Sequence, residues 1–263
     1  MCPALGTTTM RPRRGFRKPI QMLVAIINHN CNTNAIALRR SFLPLAPVKL
    51  IDSGSRFEPG EREHFDDLLP NVYYSALLNR ACVHAAELSD EEPLLLICSD
   101  VIVADPARLI ALLRDTFLSN AKVQVWAPAG IGEGAGYQHM LRRGDKPRRV
   151  SHVDGYCFAV RCGLLRRVCP IDVRLNRLGW GIDRQLGYLT AINRGCTVVD
   201  DRIEVMHPLG AGYDTDEARR QHAAWRRSMT LPERFYHSWV QHEGLQRSLI
   251  EYATIAINRV TSS

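Results

Sequence analysis

Along the first half of the chain, short unbroken apolar runs alternate with stretches whose apolar residues recur every three or four positions. Met22–Asn28, Val48–Ile51, Leu94–Cys98 and Val123–Trp126 are too short for helices and offer no polar face, the pattern of strands covered on both sides. Val72–Tyr74 reads as a further short strand. Ala35, Ile36, Leu38 and Phe42 space as one face of a helix, and Ala76–Leu88 as a second helix. Pro106–Leu118 reads as a third, with proline at a first helical position where its missing N–H costs nothing. This alternation over the first 126 residues predicts a parallel α/β sheet, and right-handed crossovers would bring every strand end to one edge. Asn28–Asn30, Asp52–Ser55 and Ser99–Asp100 are the polar loops at that edge, where open α/β sheets bind ligands. In PLLLICSDVIVADP, Pro93–Pro106, the apolar run delivers Asp100 there, either as a functional acid or as a plain strand ending.

The second half is patterned differently. Residues 130–150 are glycine-rich, basic and poor in apolar positions, which predicts a long mobile loop. Gly155–Val160 reads as a strand and Cys162–Val168 as a short helix. In NRLGWGIDRQLGYLTAINRG, Leu186, Leu189 and Ile192 share a helix face, and Gly195 stands where a C′ glycine would end it. That helix carries Trp180 and Asp183 at its N-terminal end, where free N–H groups favour a carboxylate. Val198–Val199 and Ile203–Met206 read as brief strands leading to His207–Pro208; Thr215–Arg227 and Pro232–Val260 read as helices. The expected organisation is a disordered basic tail over 1–20, one α/β domain over 21–213 and a helical extension over 214–263.

Composition narrows the class. With 263 residues and 46% hydrophobic content the chain can bury one large core. No apolar run approaches the roughly 20 residues that span a bilayer, and the first 19 residues lack the apolar centre of a secretory signal, so a cytoplasmic location is expected. The eight cysteines are scattered without a C-x-x-C pair, which favours reduced structural thiols over a disulfide framework or a zinc site. The net charge of +7 is concentrated in Arg11, Arg13, Arg14, Arg17 and Lys18, and again in Arg142, Arg143, Lys146, Arg148 and Arg149. Such clusters suit polyanions, acidic membrane surfaces and phosphorylated substrates, or simply face solvent.

Two motifs are decoys. GIGEGAG, Gly130–Gly136, contains G-x-G-x-x-A, yet it follows the fifth strand rather than the first, and no apolar-faced helix follows it. The chain has no G-x-x-x-x-G-K-[ST] and no G-x-S-x-G, which removes the P-loop and nucleophile-elbow readings.

What remains is an ordered set of pieces that resembles a GT-A glycosyltransferase of the family-2-like group, over roughly residues 22–213. Where that family's first strand and loop read V-x-x-x-Y-N, this chain has AIINHN, Ala25–Asn30. Where the second strand ends D-[ND]-x-S, it has IDSGS, with Asp52 and Ser55. LICSDVIVADP stands in the D-x-D region, GYCFAVR (Gly155–Arg161) in the later G-x-x-x-x-[IV]-R, GWGID in the acidic G-W-G-E-D element, and MHP at the terminal metal histidine. Two positions depart from the pattern. Cys98 replaces the first acid of D-x-D, leaving Asp100, and Ile182 replaces the glutamate before Asp183.

The resemblance implies an α/β GT-A fold, a mixed Rossmann-like sheet flanked by helices. It also implies displacement of a nucleoside diphosphate from a sugar's anomeric carbon. On that reading Asp100 and His207 hold Mn²⁺ or Mg²⁺, and Asp183 is the general base of an inverting transfer. Asn28, Asn30, Asp52, Ser55, Ser99, Asp100 and Gly155 line the donor, with Asp52 accepting from its base. Trp180, Gly181 and Asp154 face the acceptor. The basic 142–149 stretch would close over the diphosphate or meet an anionic acceptor. The expected partners are a nucleotide-diphosphate sugar and a glycan or glycolipid acceptor, with peripheral membrane contact as a further option. A polyanionic acceptor such as modified DNA, and a non-catalytic nucleotide- or nucleic-acid-binding protein on the same fold, stay open at this point.

Overall fold

The computed structural model describes residues 20–131, 137–208 and 213–241. The expected basic tail, most of the GIGEGAG run and the end of the C-terminal helix lie outside the described residues.

The strands are β1 (Leu23–Asn28), β2 (Val48–Ser53), β3 (Asp67–Leu69), β4 (Pro93–Cys98), β5 (Val123–Ile131), β6 (Pro147–Val150), β7 (Cys157–Arg161) and β8 (Cys196–Met206). They form a single sheet in the order β3-β2-β1-β4-β7-β5-β8-β6. Helices α1 (Asn32–Phe42), α2 (Tyr73–His84), α3 (Pro106–Ser119), α4 (Cys162–Leu165), α5 (Ile182–Ile192), α6 (Thr215–Ser228) and α7 (Leu231–Gln241) complete the described chain. All six residues of β1 are buried, as are Leu94–Ile97 of β4, because helices cover both faces of the sheet there. Asp105 caps α3 by accepting from the Arg108 N–H at 2.9 Å, with Pro106 in its first turn. No helix among the described residues is long and apolar enough to cross a membrane.

The sheet is mixed rather than wholly parallel. β4 runs parallel to β1 but antiparallel to β7, which is inserted between β4 and β5. An apolar run reports burial on two faces and is blind to the direction of its neighbour, so the sequence could not expose this insertion. Val72–Tyr74 is not a strand. The Ser53 hydroxyl accepts from the N–H groups of Val72 and Tyr73 at 3.0 and 3.3 Å and starts α2 there, while the third strand lies at Asp67–Leu69. The helix ending also differs from expectation. Arg194, at φ +56°, is the left-handed residue after α5, and Gly195 follows it, its N–H returning to the Thr190 carbonyl at 2.9 Å. Gly195 is needed for space, since an added Cβ would lie 2.6 Å from Gln124 Cγ. Ile192 points outward at 51% exposed and is not part of the buried face.

The basic stretch contains structure that the charge pattern hid. Its Pro147–Val150 segment is β6, paired antiparallel to β8. Arg148 bonds the buried carboxylate of Asp201 at 2.9 Å, and Arg142 pairs with Glu204 at 3.1 Å, so both arginines are spent on β8. β8 is one strand, although its apolar pattern breaks at Asp200–Arg202. There the register against β5 slips, and Asp200 accepts from Trp126 Nε1 at 3.1 Å and from Arg202 at 2.7 Å.

Arg161 of GYCFAVR lies at the opposite end of β4, in register with Pro93. It is 3% exposed, donates to the carbonyls of Val123, Glu91 and Phe117, and stacks on the Phe117 ring at 5.0 Å. This arginine is a structural pin. Arg161→Ala strands three carbonyls and is expected to cost about 3 kcal/mol, read as a lowered urea midpoint.

Candidate active site

β1, β2 and β4 end side by side at one edge, in the register Asn28–Asp52 and Ile27–Cys98. The first two ends form a closed polar knot. Asn28 donates through its amide to Asp52 Oδ1 and Asn32 Oδ1, both at 2.8 Å, and to Ser55 Oγ at 3.0 Å. Ser55 returns its backbone N–H to Asp52 Oδ2 at 2.8 Å and its hydroxyl to Oδ1 at 2.5 Å. Asn30, left-handed at φ +57°, donates its N–H to Ser55 Oγ at 2.6 Å and accepts from the Arg56 N–H at 3.2 Å. Asn28 and Asp52 are each 1% exposed, so they shape the loop from within. His29, Asn30 and Gly54 are the residues it exposes.

The end of β4 is held by α1. Asn34 donates to the carbonyls of Ser99 and Val101 at 2.5 and 3.1 Å, fixing the turn that carries Asp100. Two residues on, Ile102 exchanges both backbone hydrogen bonds with Met206 at 2.8 and 3.1 Å. This bridge places His207 Nε2 3.0 Å from Asp100 Oδ2, a residue 107 positions away in the chain. The Tyr156 ring lies parallel to the imidazole, with centroids 4.8 Å apart. Asp100 Oδ1 is buried and has no hydrogen-bond partner among the described residues.

A third group comes from the loop before β7 and the start of α5. Tyr74 of α2 is the wedge between them. Its hydroxyl donates to the Gly155 carbonyl at 2.8 Å, and its ring fills the space beside two glycines. An added Cβ at Gly155 would lie 3.0 Å from Tyr74 Oη, and one at Gly179 2.4 Å from Tyr74 Cδ1. The first glycine of GWG is thus required by Tyr74 and by its own φ of +81°. Gly181, at φ +87°, lies equally tight against His222, where a Cβ would sit 2.4 Å from Nε2. Fully buried Asn176 ties this turn together, donating to the Trp180 carbonyl at 2.9 Å and accepting from the Gly179 N–H at 3.0 Å. Trp180 Nε1 donates to Tyr213 Oη at 2.7 Å. Asp183, in the first turn of α5, accepts from Tyr137 Oη at 2.8 Å.

Asp154 links these groups electrostatically. Burial, and then the Asp183 charge, push its carboxyl up to about 7, while the Gly155 N–H and His207 pull it down. It feels the charges of both Asp183 and His207. Tyr137 is driven well above the usual phenol value by burial and then by Asp183, which keeps it protonated and a donor. Its ring stacks on His139 at 5.3 Å and meets the edge of His152 at 4.7 Å.

Of the residues expected from sequence, Asp100, His207, Asp154, Gly155, Trp180, Gly181 and Asp183 gather around one edge, beside the knot of Asn28, Asn30, Asp52 and Ser55. Ser99 is 4% exposed and meets this site through its backbone. The sequence reading missed Tyr74, Tyr137 and Tyr156. The one available signal was Tyr137, an aromatic alone in a glycine-rich basic stretch.

No family model and no curated protein sequence matches the chain. Solved structures do. Glucosyl-3-phosphoglycerate synthase from Mycobacterium tuberculosis, crystallised with Mn²⁺, UDP and glucosyl-3-phosphoglycerate, superposes with a TM-score of 0.53 at 16% identity, over 85% of this chain and 87% of that one. GalNAc-T7 with UDP, GalNAc and Mn²⁺ superposes with a TM-score of 0.54 at 15% identity, over 72% of this chain. The chain has the GT-A fold. Against GalNAc-T7 this GT-A chain spans 44% of the partner's length. The eight-stranded mixed sheet with its inserted β7, and the polar edge built on β1, β2 and β4, are the parts of that fold described above.

Proposed function

We propose that the chain is an inverting glycosyltransferase that moves a sugar from a nucleoside-diphosphate donor to an acceptor hydroxyl. The observation that carries this reading is the meeting of Asp100 and His207 at 3.0 Å, with Asp100 Oδ1 buried and unpartnered among the described residues. Leaving a carboxylate oxygen buried without a donor is costly, and a cation at that position removes the cost. A carboxylate with an imidazole suits Mn²⁺, and less well Mg²⁺. Among the described residues no three His, Cys, Asp or Glu side chains converge on one point, so a donor diphosphate would complete the ligand set. Bound there, the ion would offset the negative charge that develops on the departing diphosphate.

The chain's own groups do the rest. Asn30 and Gly54 form the exposed floor for the nucleoside, with Asp52, Asn28 and Ser55 holding the loop in shape. Gly155, packed against Tyr74, offers the sugar backbone only. Asp183 takes the proton of the acceptor hydroxyl as that oxygen bonds to the anomeric carbon from the side opposite the diphosphate; the carbon–oxygen bond to the diphosphate breaks, and the configuration inverts. Trp180 and Asp154 border the acceptor. The acceptor is proposed to be a neutral glycan or glycolipid hydroxyl. Ion pairing of Arg142 and Arg148 to β8 takes two of the five cations from the cluster that would favour a polyanionic acceptor or a nucleic-acid-binding role.

A donor panel tests the proposal. UDP-, GDP- and dTDP-sugars are each measured by thermal shift and by release of the diphosphate, with and without Mn²⁺. A Mn²⁺-dependent response to at least one donor is expected, and silence across the panel would reject the assignment.

Tyr137 has a defined part in this scheme. Its phenol holds one oxygen of Asp183, leaving the other for the acceptor. Tyr137→Phe keeps the ring between His139 and His152 and removes that bond. The kcat for transfer is expected to fall about tenfold, as for loss of a hydrogen bond to a charged group, with donor KM unchanged.

A further inference from the structure

Helix α7 is built inside out. Leu231, Phe235 and Trp239 recur every fourth residue, so they form one stripe along its surface. They are 77%, 73% and 44% exposed. The opposite face is anchored to α5 and its surroundings by polar bonds. His237, fully buried, meets Gln185 Oε1 at 3.1 Å; Glu233 accepts from Gln185 Nε2 at 2.7 Å; Tyr236 donates to the Ser151 carbonyl at 2.7 Å. These bonds fix the rotation of the helix, so the stripe cannot turn inward without breaking them. Scattered exposed apolar residues need no explanation, but an aligned stripe of three large ones does.

The stripe is bordered by positive charge. Arg226 bonds Ser238 Oγ at 2.5 Å, Arg234 bonds the carbonyls of Met229 and Arg227 at 2.9 and 2.6 Å, and exposed Arg227 lies between them in the α6–α7 corner. Among the described residues, none of the three forms an ion pair with a carboxylate, in contrast to Arg219 and Arg220 one to two turns earlier. Leucine, phenylalanine and tryptophan on one stripe with arginines at its border is the make-up of a helix that lies in a lipid interface.

We infer that α7 docks the protein on an anionic phospholipid surface, with Leu231, Phe235 and Trp239 entering the acyl boundary and Arg226, Arg227 and Arg234 meeting headgroup phosphates. A second copy of the chain fits less well, because a two-fold contact through this stripe would set the three arginines against their own equivalents. Residues 242–263 carry two arginines and two glutamates, a balanced set of side-chain charges. This inference stands independently of the proposed transfer activity.

The test uses the full chain with vesicles of phosphatidylcholine containing about 30% phosphatidylglycerol, and with pure phosphatidylcholine vesicles. The chain is expected to float with the anionic vesicles and to bind pure phosphatidylcholine at least about tenfold more weakly. Raising the salt to roughly 0.5 M should reduce binding, and Trp239 emission should shift to the blue on binding, an assignment made with Trp239→Phe. A triple variant, Leu231→Ser with Phe235→Ser and Trp239→Ser, replaces exposed side chains only. It should keep its circular dichroism and lose binding about tenfold or more. Three results would overturn the inference. The first is equal binding by the triple variant, which would move the contact to the basic N-terminal tail. The second is a lipid-free dimer that this variant dissociates, which would make the stripe a protein interface. The third is a lipid-free monomer whose Trp239 is shielded from iodide, which would mean that the chain covers its own stripe.

Discussion

Asp183→Asn is expected to lower kcat for sugar transfer by about 10²–10⁴-fold while leaving donor affinity unchanged. That is the range that a positioned general base contributes. The substitution is nearly isosteric and keeps an oxygen for Tyr137 Oη, so the 2.8 Å contact and the packing of α5 are retained. What is lost is the capacity to accept the acceptor's proton as its oxygen attacks. In the proposed scheme donor binding falls to the Asn28–Ser55 knot and the Asp100–His207 pair, which Asp183 does not bond. Isothermal titration with the donor, beside steady-state kinetics, separates the two quantities. Near-normal kcat in Asp183→Asn would remove Asp183 as the base. Weakened donor binding with proportionate loss of kcat would recast it as a structural cap of α5.

Asp100→Asn should abolish the Mn²⁺-dependence of donor binding, with a loss of metal affinity of at least about tenfold. An amide oxygen is a poorer ligand for a hard cation than a carboxylate, and the substitution also removes the negative charge that faces His207. The fold should tolerate the change, because Asn34 holds this turn through the carbonyls of Ser99 and Val101 and not through the Asp100 side chain. Mn²⁺ binding followed by electron paramagnetic resonance, in the presence of UDP, reads this directly without turnover. His207→Ala should give a smaller loss in the same assay. If both variants bound Mn²⁺ as the parent does, the 3.0 Å pair would be a plain hydrogen bond joining β8 to the β4 turn.

The elements that were legible from residue order share a cause. A run such as Leu94–Cys98 has no polar face and is too short for a helix, so its state follows from local pattern alone. The ends of β1, β2 and β4 are legible for the same reason, because each apolar run stops at a polar residue. Asp100 and Asp183 could be singled out as acids at a strand end and a helix start. Polar residues misled wherever they were buried against one another. Asp200–Arg202 broke the pattern of β8, although Asp200 is fully buried by Trp126 and Arg202. Arg148 looked free for a ligand, while Asp201, 53 residues away, already held it.

Local sequence by itself thus determined four of the five strands and the helices of the first half, the edge at which they end, and the positions of Asp100 at a strand end and Asp183 at a helix start. Those features depend on burial patterns within a dozen residues. Only the assembled fold decided that β7 runs antiparallel beside β4, and that His207 meets Asp100. It also decided that Tyr74 requires the glycines of two distant loops, and that Tyr137 bonds Asp183. Each is a contact between segments tens of residues apart, set by which strands pair and in which register. The Ile102–Met206 bridge is the clearest case. Two backbone hydrogen bonds, available to almost any pair of residues and so leaving no mark in sequence, place an imidazole against a carboxylate 107 positions away.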